Sequence, residues 1–378
     1  MRQSVLRLAN KLWRYIKYLT VAKRVWRWPR QSDVLIFDAC GQEILLEYLQ
    51  PWNPEVLHVR NEFINVPVLL ASIFRGGSKL DAYIDCFIER VHPKLVVTFT
   101  DNNSTFYTIS QRHSSVKTMF IQNGIRGYYD DVFETLDAAS IEAHDSMTVD
   151  YILPFGNIIG DEFARYIKGK VIPMGSLTNN HLPKTHIKEA HVIAFVSQWR
   201  KNGFFMNGMF YSHKSFYRQA DQPIIQFLVQ YAHENNKRLK IIPYCHKNSS
   251  GRAAEEVYFR ELAGDDISFL NPTGAYPSYQ AVDIAGVVVG VDSTLVYEAI
   301  ARGTKAAIFP IRSSLLGIKS YAYGWPGEYV DDGPFWTNHP NPENFKRIMD
   351  HLFEINDEQW HAELAEHSFD KVMTYDSS

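Results

Sequence analysis

Cysteine is scarce in this sequence: Cys40, Cys86 and Cys245 are the only three in 378 residues. An odd number of widely spaced thiols builds neither a disulfide framework nor a zinc ribbon, which indicates a reducing compartment. Long apolar runs are also missing. No stretch approaches the roughly 18 residues that cross a bilayer, and the N-terminus lacks the uninterrupted apolar segment of a secretory signal. The sequence therefore predicts a chain that stays in the cytoplasm.

Several catalytic signatures are absent as well. The sequence has no Gly-x-x-x-x-Gly-Lys-Ser/Thr loop, which excludes a P-loop nucleotidase. The segment after the first expected strand, FDACGQE, holds one glycine where a nicotinamide dehydrogenase needs Gly-x-Gly-x-x-Gly. A His-Glu-x-x-His helix, a cluster of Cys and His, and an Asp-x-Asp between the two halves are also missing. We therefore expect no metal site and no bound cofactor.

The length and composition describe a packed chain of more than one domain. A mass of 43.6 kDa is too large for one core of ordinary size, so two domains of roughly 150 residues are expected. Hydrophobic residues make up 46% and charged residues 21%, far from the composition of disordered chains.

Basic residues are concentrated at the N-terminus. The first 30 residues hold nine of the 39 Lys and Arg and no acid, so the remainder carries a net charge of -12. Apolar residues there follow three- and four-residue steps along one helical face: Val5, Leu8, Leu12, Tyr15, Leu19, Ala22 and Trp26. This pattern predicts a basic amphipathic helix over residues 1–30 that lies on an anionic membrane surface. The alternative is a helix that packs on the protein's own body.

After residue 30, short apolar runs alternate with stretches of helical period, which is the βαβ pattern. The sequence predicts an α/β fold of two Rossmann-like domains, 31–178 and 190–342, with a polar linker at 176–190 and C-terminal helices over 343–378. Ligands of such sheets bind beyond the carboxyl ends of the strands, so we expect the site in a cleft between the domains. The expected strands cover residues 33–39, 55–59, 94–100, 116–122, 150–156, 170–175, 191–197, 238–244, 267–270, 284–291 and 305–311.

The most informative stretch is IAGVVVGVDSTLVYEAIARGTKAAIFP, residues 284–310. It predicts a buried strand, a turn and a helix that starts at Ser293 or Thr294. The free N–H groups at a helix N-terminus bind anions, and the two hydroxyls would add donors to a phosphate. Glu298, one turn later, would reach a ribose hydroxyl. The alternative is that one hydroxyl is only an N-cap, which leaves the other and Glu298 unexplained.

Two further loops follow expected strands of the second domain. The loop in IIPYCHKNSSGR brings His246, Lys247 and Ser249, whose donors and positive charge would stabilise a phosphate leaving group. The turn in IAFVSQWRKNG brings Arg200, a candidate bidentate phosphate ligand. The alternatives are an ordinary polar loop and a plain surface arginine.

The first domain offers candidate catalytic residues in VVTFTDNNSTFY and MFIQNGIRGYYDD. Asp101 follows a buried strand, as a general base facing an acceptor must. The alternative is an Asx-turn formed with the following asparagines. Arg126 is a candidate ligand of the acceptor or the phosphate, and Asp131 is a second candidate carboxylate.

The sequence Gly-x-Asp-Ser-Thr-Leu-x-Tyr-Glu-Ala-x-Ala-Arg-Gly, residues 290–303, resembles the donor-nucleotide segment of bacterial surface-carbohydrate biosynthesis proteins with the GT-B fold. The Asp-Asn motif at 101–102 and the Gln-Asn-Gly-x-Arg motif at 122–126 resemble the same family, so the resemblance spans roughly residues 95–310. The His246 loop is similar to the His-Pro loop of CMP-sugar transferases, with Lys in place of Pro. GT-B enzymes generally use helix dipoles and cations in place of a metal ion.

The resemblance implies a glycosyltransferase of hexosyl or Kdo type. It would transfer a sugar from a CMP-Kdo-like donor or a UDP-sugar to a lipid-linked surface polysaccharide, on the inner face of the bacterial inner membrane and without nucleic acid. Three alternatives remain open: a UDP-sugar 2-epimerase, a polyol-phosphate transferase, and a non-catalytic scaffold that uses the aromatic stretch at 203–219 as a partner surface.

Overall fold

The computed structural model describes residues 22–376, apart from 61, 77–79, 143–146, 186, 207, 266, 272–273 and 275. The chain divides into two compact units. Unit 1 comprises the chain up to residue 123 together with 139–153 and 164–171. Unit 2 comprises 124–138, 154–163 and everything after 171.

Unit 1 is built on a six-stranded parallel sheet in the order β3-β2-β5-β6-β7-β8. Its central strands are short apolar runs such as VLIF and LVVT, which are buried almost throughout because helices cover parallel sheets on both faces. The strands of this unit are β1 (Lys23–Val25), β2 (Val34–Phe37), β3 (Glu55–Leu57), β4 (Phe63–Asn65), β5 (Leu95–Thr98), β6 (Lys117–Ile121), β7 (Thr148–Leu153) and β8 (Lys168–Val171).

Helices connect these strands. Those within unit 1 are α1 (Gln42–Leu49), α2 (Val66–Phe74), α3 (Leu80–Val91) and α4 (Ile109–Arg112), with 3-10 turns at Gln50–Trp52 and Phe106–Thr108. Two more helices, α5 (Val132–Glu142) and α6 (Asn157–Ala164), lie mostly in the segments that belong to unit 2.

The expected N-terminal helix over residues 1–30 is wrong at its C-terminal end. Strand β1 pairs in parallel with β4, so that Lys23 lies opposite Phe63 and Val25 opposite Asn65. The Asn65 side chain also donates to the carbonyl of Arg27, at 2.9 Å. These bonds to a neighbouring strand hold the segment extended. Residues 1–21, the larger part of the expected helix, lie outside the described residues.

Unit 2 is built on a five-stranded parallel sheet in the order β13-β12-β9-β14-β15, with a separate antiparallel pair, β10-β11. Its strands are β9 (Glu189–Val196), β10 (Phe204–Met206), β11 (Met209–Tyr211), β12 (Arg238–Ile242), β13 (Ser268–Phe269), β14 (Ala285–Gly290) and β15 (Ala306–Ile308). Every strand that the sequence predicts in either half overlaps an observed strand.

Nine helices of the described chain belong to unit 2 after residue 171. They are α7 (Leu177–His181), α8 (Gln219–Glu234), α9 (Arg252–Ala263), α10 (Pro277–Ile284), α11 (Thr294–Ala301), α12 (Arg312–Leu316), α13 (Pro342–Glu354), α14 (Asp357–Glu366) and α15 (Phe369–Val372), together with a π-helical turn at Lys214–Arg218 and a 3-10 turn at Lys319–Tyr321. No helix in the described part of the chain combines the length and the apolar character needed to cross a bilayer.

The units are divided differently from the expected domains, because two segments of the first half pack with unit 2. The ring of Phe133 lies 4.9 Å from that of Phe163 and 5.6 Å from that of Trp325, measured between centroids. The amide of Thr374 donates to the carbonyl of Phe155 at 2.8 Å. Segments 124–138 and 154–163 therefore share a core with the C-terminal helices, which are part of unit 2 and not a separate appendage.

The expected linker at 176–190 contains α7 and the start of β9, and its residues as far as Pro183 are fixed by hydrogen bonds. Ser176 caps α7 by accepting a hydrogen bond from the amide of Asn179. The buried guanidinium of Arg302, just after α11, donates to the carbonyls of Asn179, Leu182 and Pro183. A polar sequence that reads as a linker is thus fixed to unit 2 by one buried arginine.

Candidate functional site

The strand order of unit 2 indicates where a ligand would bind, at the carboxyl ends of β9 and β14. The chain leaves β9 toward β12 on one side and later returns to β14 on the other, so the connections diverge between β9 and β14. In open parallel sheets, ligands bind at the carboxyl end of such a switch point. Residues 197–200 follow β9 and residues 291–294 follow β14, which places these two turns side by side.

The turn after β14 leads into α11. Ser293 is the N-cap residue, with an extended backbone (φ -75, ψ 135), yet its hydroxyl makes no capping hydrogen bond to the helix. The Thr294 hydroxyl accepts a hydrogen bond from the backbone amide of Ile125 at 3.0 Å. The simple capping role therefore does not account for Ser293. Its hydroxyl lies half-buried beside the N–H groups at the positive end of the helix, where an anion is stabilised.

The loop before α5 lies against this helix start. Asp131 accepts hydrogen bonds from the amides of Gly127 at 2.9 Å and Val132 at 2.8 Å, and its carboxylate lies 3.6 Å from the guanidinium of Arg126. Arg126 and Asp131 are thus brought together with Thr294 in unit 2, although the sequence places them in the first domain. Asp131 shapes the loop and orients Arg126.

A buried carboxylate that the sequence analysis missed bonds both the turn after β9 and the turn after β12. Glu255, on α9, accepts hydrogen bonds from the Ser197 hydroxyl at 2.5 Å and from the amides of Tyr244 and Cys245 at 2.8 and 2.9 Å. The turn after β9 and the turn after β12 are therefore held by one side chain. Only the tertiary contact reveals this role, because Glu255 reads in the sequence as an ordinary helical acid.

We expect Glu255→Gln to lower the free energy of unfolding by about 1–3 kcal/mol. The carboxylate accepts hydrogen bonds at both of its oxygens, whereas the NH₂ group of glutamine would face one of these donors and leave it without an acceptor. Chemical denaturation measures this loss. A matched control is Glu261→Gln on the same helix, whose exposed carboxylate pairs with Arg218 at 3.3 Å. Equal effects of the two substitutions would contradict the assigned role of Glu255.

The basic residues predicted in the turns after β9 and β12 are exposed at the carboxyl edge of the unit 2 sheet. Arg200 is exposed, with its guanidinium 5.5 Å from the ring centroid of Tyr244. His246, Lys247 and Ser249 are exposed on the loop after β12, where the amide of Ser249 donates to the carbonyl of His246. The structure therefore gathers Arg200 and the His246 loop, with their positive charges directed to solvent.

A second residue that the sequence analysis missed, Arg312, connects the turn after β14 with the turn after β9. Its side chain is 1% exposed, and it donates to Oδ1 of Asp292 at 2.5 Å and to Oε1 of Gln198 at 3.2 Å. The guanidinium lies 4.7 and 5.2 Å from the ring centroids of Phe216 and Tyr217. Arg312 directly follows the last predicted strand, so the rule that site residues follow strands could have found it.

Glu298 takes a different role from the predicted contact with a ribose. It is buried, and Oε1 of its carboxylate accepts hydrogen bonds from Ser176 at 2.5 Å and Tyr279 at 2.8 Å. Burial raises the pKa of Glu298 to about 7, against the opposing effects of these two hydrogen bonds and of Arg302. The side chain therefore holds the segment before α7 and is not presented to a ligand.

Asp101 lies in unit 1 with no exposed surface. Its backbone carbonyl accepts a hydrogen bond from the hydroxyl of Tyr107. The neighbouring Asn103 accepts from the amide of Thr105 at 3.2 Å, which is an Asx-turn of the kind considered as the alternative. The catalytic role of Asp101 stays a prediction. Among the residues that the structure describes, no group of His, Cys, Asp and Glu is arranged to hold a metal ion.

Comparison with solved structures identifies the fold. The Anabaena protein HepE, in a crystal structure with UDP and glucose, is 12% identical with a TM-score of 0.52, covering 92% of this chain and 96% of HepE. The UDP-GlcNAc 2-epimerase of Methanocaldococcus jannaschii is 11% identical (TM-score 0.49, covering 86% and 93%). A glycosyltransferase of Rickettsia africae is also 11% identical (TM-score 0.48, covering 90% and 93%). The likeness to HepE shows the α/β fold with parallel sheets of GT-B proteins.

No curated protein matches the sequence. A model of a family of O-antigen biosynthesis proteins matches residues 119–378. That span contains all three segments of unit 2, and with them the edge at Ser293, the loops of Arg126 and His246, and the buried Arg312. The chain therefore belongs to the O-antigen biosynthesis protein family.

Proposed function

We propose that this protein is a GT-B glycosyltransferase of O-antigen assembly, and that the carboxyl edge of the unit 2 sheet binds the phosphate of a nucleotide-sugar. The observation that carries the proposal is Ser293. It occupies the N-cap of α11 at the switch point between β9 and β14, and its hydroxyl does not bond the helix. An N-cap of this kind leaves both the hydroxyl and the first helical N–H groups for an anion.

The surrounding charges suit the same ligand. Arg200, His246 and Lys247 are exposed on the adjoining turns, and Arg126 lies on the loop whose Ile125 amide bonds Thr294. As the bond between the sugar and the phosphate breaks, these groups would stabilise the negative charge that develops on the phosphate. The anomeric carbon then bonds to the acceptor oxygen, whose proton passes to a carboxylate, for which Asp131 is the candidate within unit 2.

The family and the chemistry of the site support a nucleotide-sugar donor and a glycan acceptor. CMP-Kdo-like donors and UDP-sugars both present a phosphate next to the sugar, and the HepE structure contains UDP and glucose. We propose a lipid-linked glycan as the acceptor, because O-antigen is a surface polysaccharide. Thermal-shift measurements with CMP, UDP, CDP and their sugar conjugates test the donor, since a ligand of the native state raises the melting temperature. Stabilisation by none of them would contradict the proposal.

Ser293→Ala is expected to weaken nucleotide binding about tenfold or more, since a hydrogen bond to a charged group contributes about 1.5–3 kcal/mol. Stability should change little, because this hydroxyl does not cap α11. Asn356→Ala is a matched control, since Asn356 caps α14 by accepting from the amide of Gln359 at 2.9 Å. This control should cost about 1 kcal/mol of stability and leave nucleotide affinity unchanged. The reverse pattern would remove the phosphate role of Ser293.

Product analysis separates the proposed transferase from a UDP-sugar 2-epimerase. An epimerase converts the nucleotide-sugar without an acceptor, whereas a transferase transfers the sugar and releases the nucleotide when the lipid-linked acceptor is added. Conversion of UDP-GlcNAc by the protein alone would therefore replace the proposed activity with the epimerase activity.

A further inference from the structure

The antiparallel pair β10-β11 has two distinct faces, and we call this pair the aromatic hairpin (Phe204–Met206 with Met209–Tyr211). Phe205 lies directly opposite Phe210 in its register. Met206 and Tyr211 are buried in a cluster with Phe216, Tyr217 and Ile318. Gly203 allows the hairpin to close, since a Cβ at this position would lie 2.3 Å from the carbonyl oxygen of Tyr211.

The other face is apolar and exposed. Phe205, which is 70% exposed, and Phe210, which is 59% exposed, lie on this face. Met209 pairs with Met206 on the opposite face, but it is 57% exposed because it lies next to the turn. The rings of Phe205 and Phe210 contact each other, with centroids 5.2 Å apart. A single exposed apolar residue needs no explanation, but two exposed phenylalanines in contact, with an exposed methionine at the end of the same hairpin, mark a surface that binds something.

The charge around this surface has one sign. Residues 197–220 contain no acid, although the whole chain has more acidic than basic residues. Arg200, Lys201 and Lys214 are exposed on the two sides of the hairpin. In the described part of the chain, no carboxylate lies within ion-pair distance of these three cations. Exposed aromatic residues with exposed cations before and after them in the chain are an arrangement that binds the interface of an anionic membrane.

The aromatic hairpin is fixed to the carboxyl edge of the unit 2 sheet around Ser293, which we call the donor edge. Its buried face packs on Phe216 and Tyr217, and both rings lie against the guanidinium of Arg312. Arg312 in turn bonds Asp292, in the turn that precedes Ser293. A surface that holds the hairpin therefore also fixes the distance of the donor edge from that surface.

We propose that the aromatic hairpin is a membrane contact of unit 2. Phe205, Met209 and Phe210 would enter the boundary between headgroups and acyl chains of an anionic bilayer, while Lys201 and Lys214 face its phosphates. This contact is separate from the basic segment 1–30. Its purpose, which is to bring the donor edge to a lipid-linked acceptor, rests on the proposed function, whereas the contact itself does not. A second copy of the chain fits less well, because a two-fold contact would bring the same lysines together.

The test is co-sedimentation of the full chain with vesicles of phosphatidylethanolamine and phosphatidylglycerol, without any nucleotide. Phe205→Ser with Phe210→Ser should lower the vesicle partition coefficient at least about tenfold, because the inserted apolar surface is lost. Lys201→Glu with Lys214→Glu should lower it about tenfold on these vesicles and have little effect on phosphatidylcholine vesicles. All four positions are exposed, so the variants should fold.

The matched control is Phe74→Ser at the end of α2 in unit 1, because Phe74 is 87% exposed. It should bind vesicles like the unchanged chain. A vesicle partition coefficient that both double substitutions leave unchanged would overturn the proposal. Self-association of the unchanged chain that they abolish, without any change in vesicle binding, would overturn it as well. Nucleotide-induced thermal shifts, measured on the same variants, should be unchanged, so failure of the membrane contact is distinguishable from failure of the donor site.

Discussion

Arg312→Met should lower the free energy of unfolding by about 3–5 kcal/mol, the usual cost of removing one partner of a buried ion pair. The guanidinium bonds Asp292 and Gln198, and it also stabilises the charge of the nearby Asp221. Burial raises the pKa of Asp221 to about 6 even with this arginine present. Methionine fills a similar volume but leaves both carboxylates without a positive charge.

Chemical denaturation with linear extrapolation measures this loss. Arg238→Met is the matched control, because Arg238 pairs with Glu189 at the surface at 2.7 Å and such pairs contribute at most about 1 kcal/mol. Adding Asp292→Asn to Arg312→Met should recover part of the loss, since the second change removes a buried charge. A loss below 1 kcal/mol for Arg312→Met would show that the ion pair does not hold the strand ends together.

The free energy of unfolding of the Glu298→Gln variant should rise relative to that of the unchanged chain as the pH rises. The pKa of Glu298 is raised from 4.5 to about 7 in the folded protein, so the stability that the protonated carboxyl contributes is complete below pH 4.5 and is lost as the pH rises through 7. Glutamine stays neutral and can accept the same hydrogen bonds from Ser176 and Tyr279. The difference in free energy of unfolding between variant and unchanged chain should therefore shift by about 3 kcal/mol in favour of glutamine.

Denaturation curves between pH 4 and pH 8 check this dependence. Glu358→Gln, at an exposed position of α14, is the control and should show no comparable trend, because water surrounds that side chain in both states. Nucleotide affinity of Glu298→Gln should equal that of the unchanged chain, as the structure gives Glu298 no part in the candidate site. Parallel stability curves for variant and unchanged chain would contradict the burial of a titrating carboxyl, and a large loss of affinity would restore the ribose contact.

The sequence alone predicted the parallel strands because buried strands carry a local signal. Runs such as VVVG in β14 are apolar at every position, and turn residues end them. The turn at Ser293 was predictable for the same reason, since polar residues directly follow such a strand. The order of strands in the sheet then fixes which turns are neighbours, and this order comes from the structure.

The roles of other residues near the site have no local signal. Glu298 lies one turn after Thr294 on α11, and its position alone fits either a ligand or the segment before α7. Packing against Ser176 and Tyr279 decides between them. Glu255 is invisible for a similar reason, since one of its partners is the hydroxyl of Ser197, 58 residues away in the sequence. Tertiary contact also explains why Lys23–Val25 is a strand, although its spacing suits a helix.

The interleaving of the two units constrains how this protein can have changed in evolution. Unit 2 needs residues 124–138 and 154–163, which alternate along the chain with the strands of unit 1. A single recombination point at residues 176–190 would therefore separate Phe133 and Phe163 from the core that they share with Trp325. Exchange of one half of the chain between relatives at such a point is thus expected to leave unit 2 without part of its core.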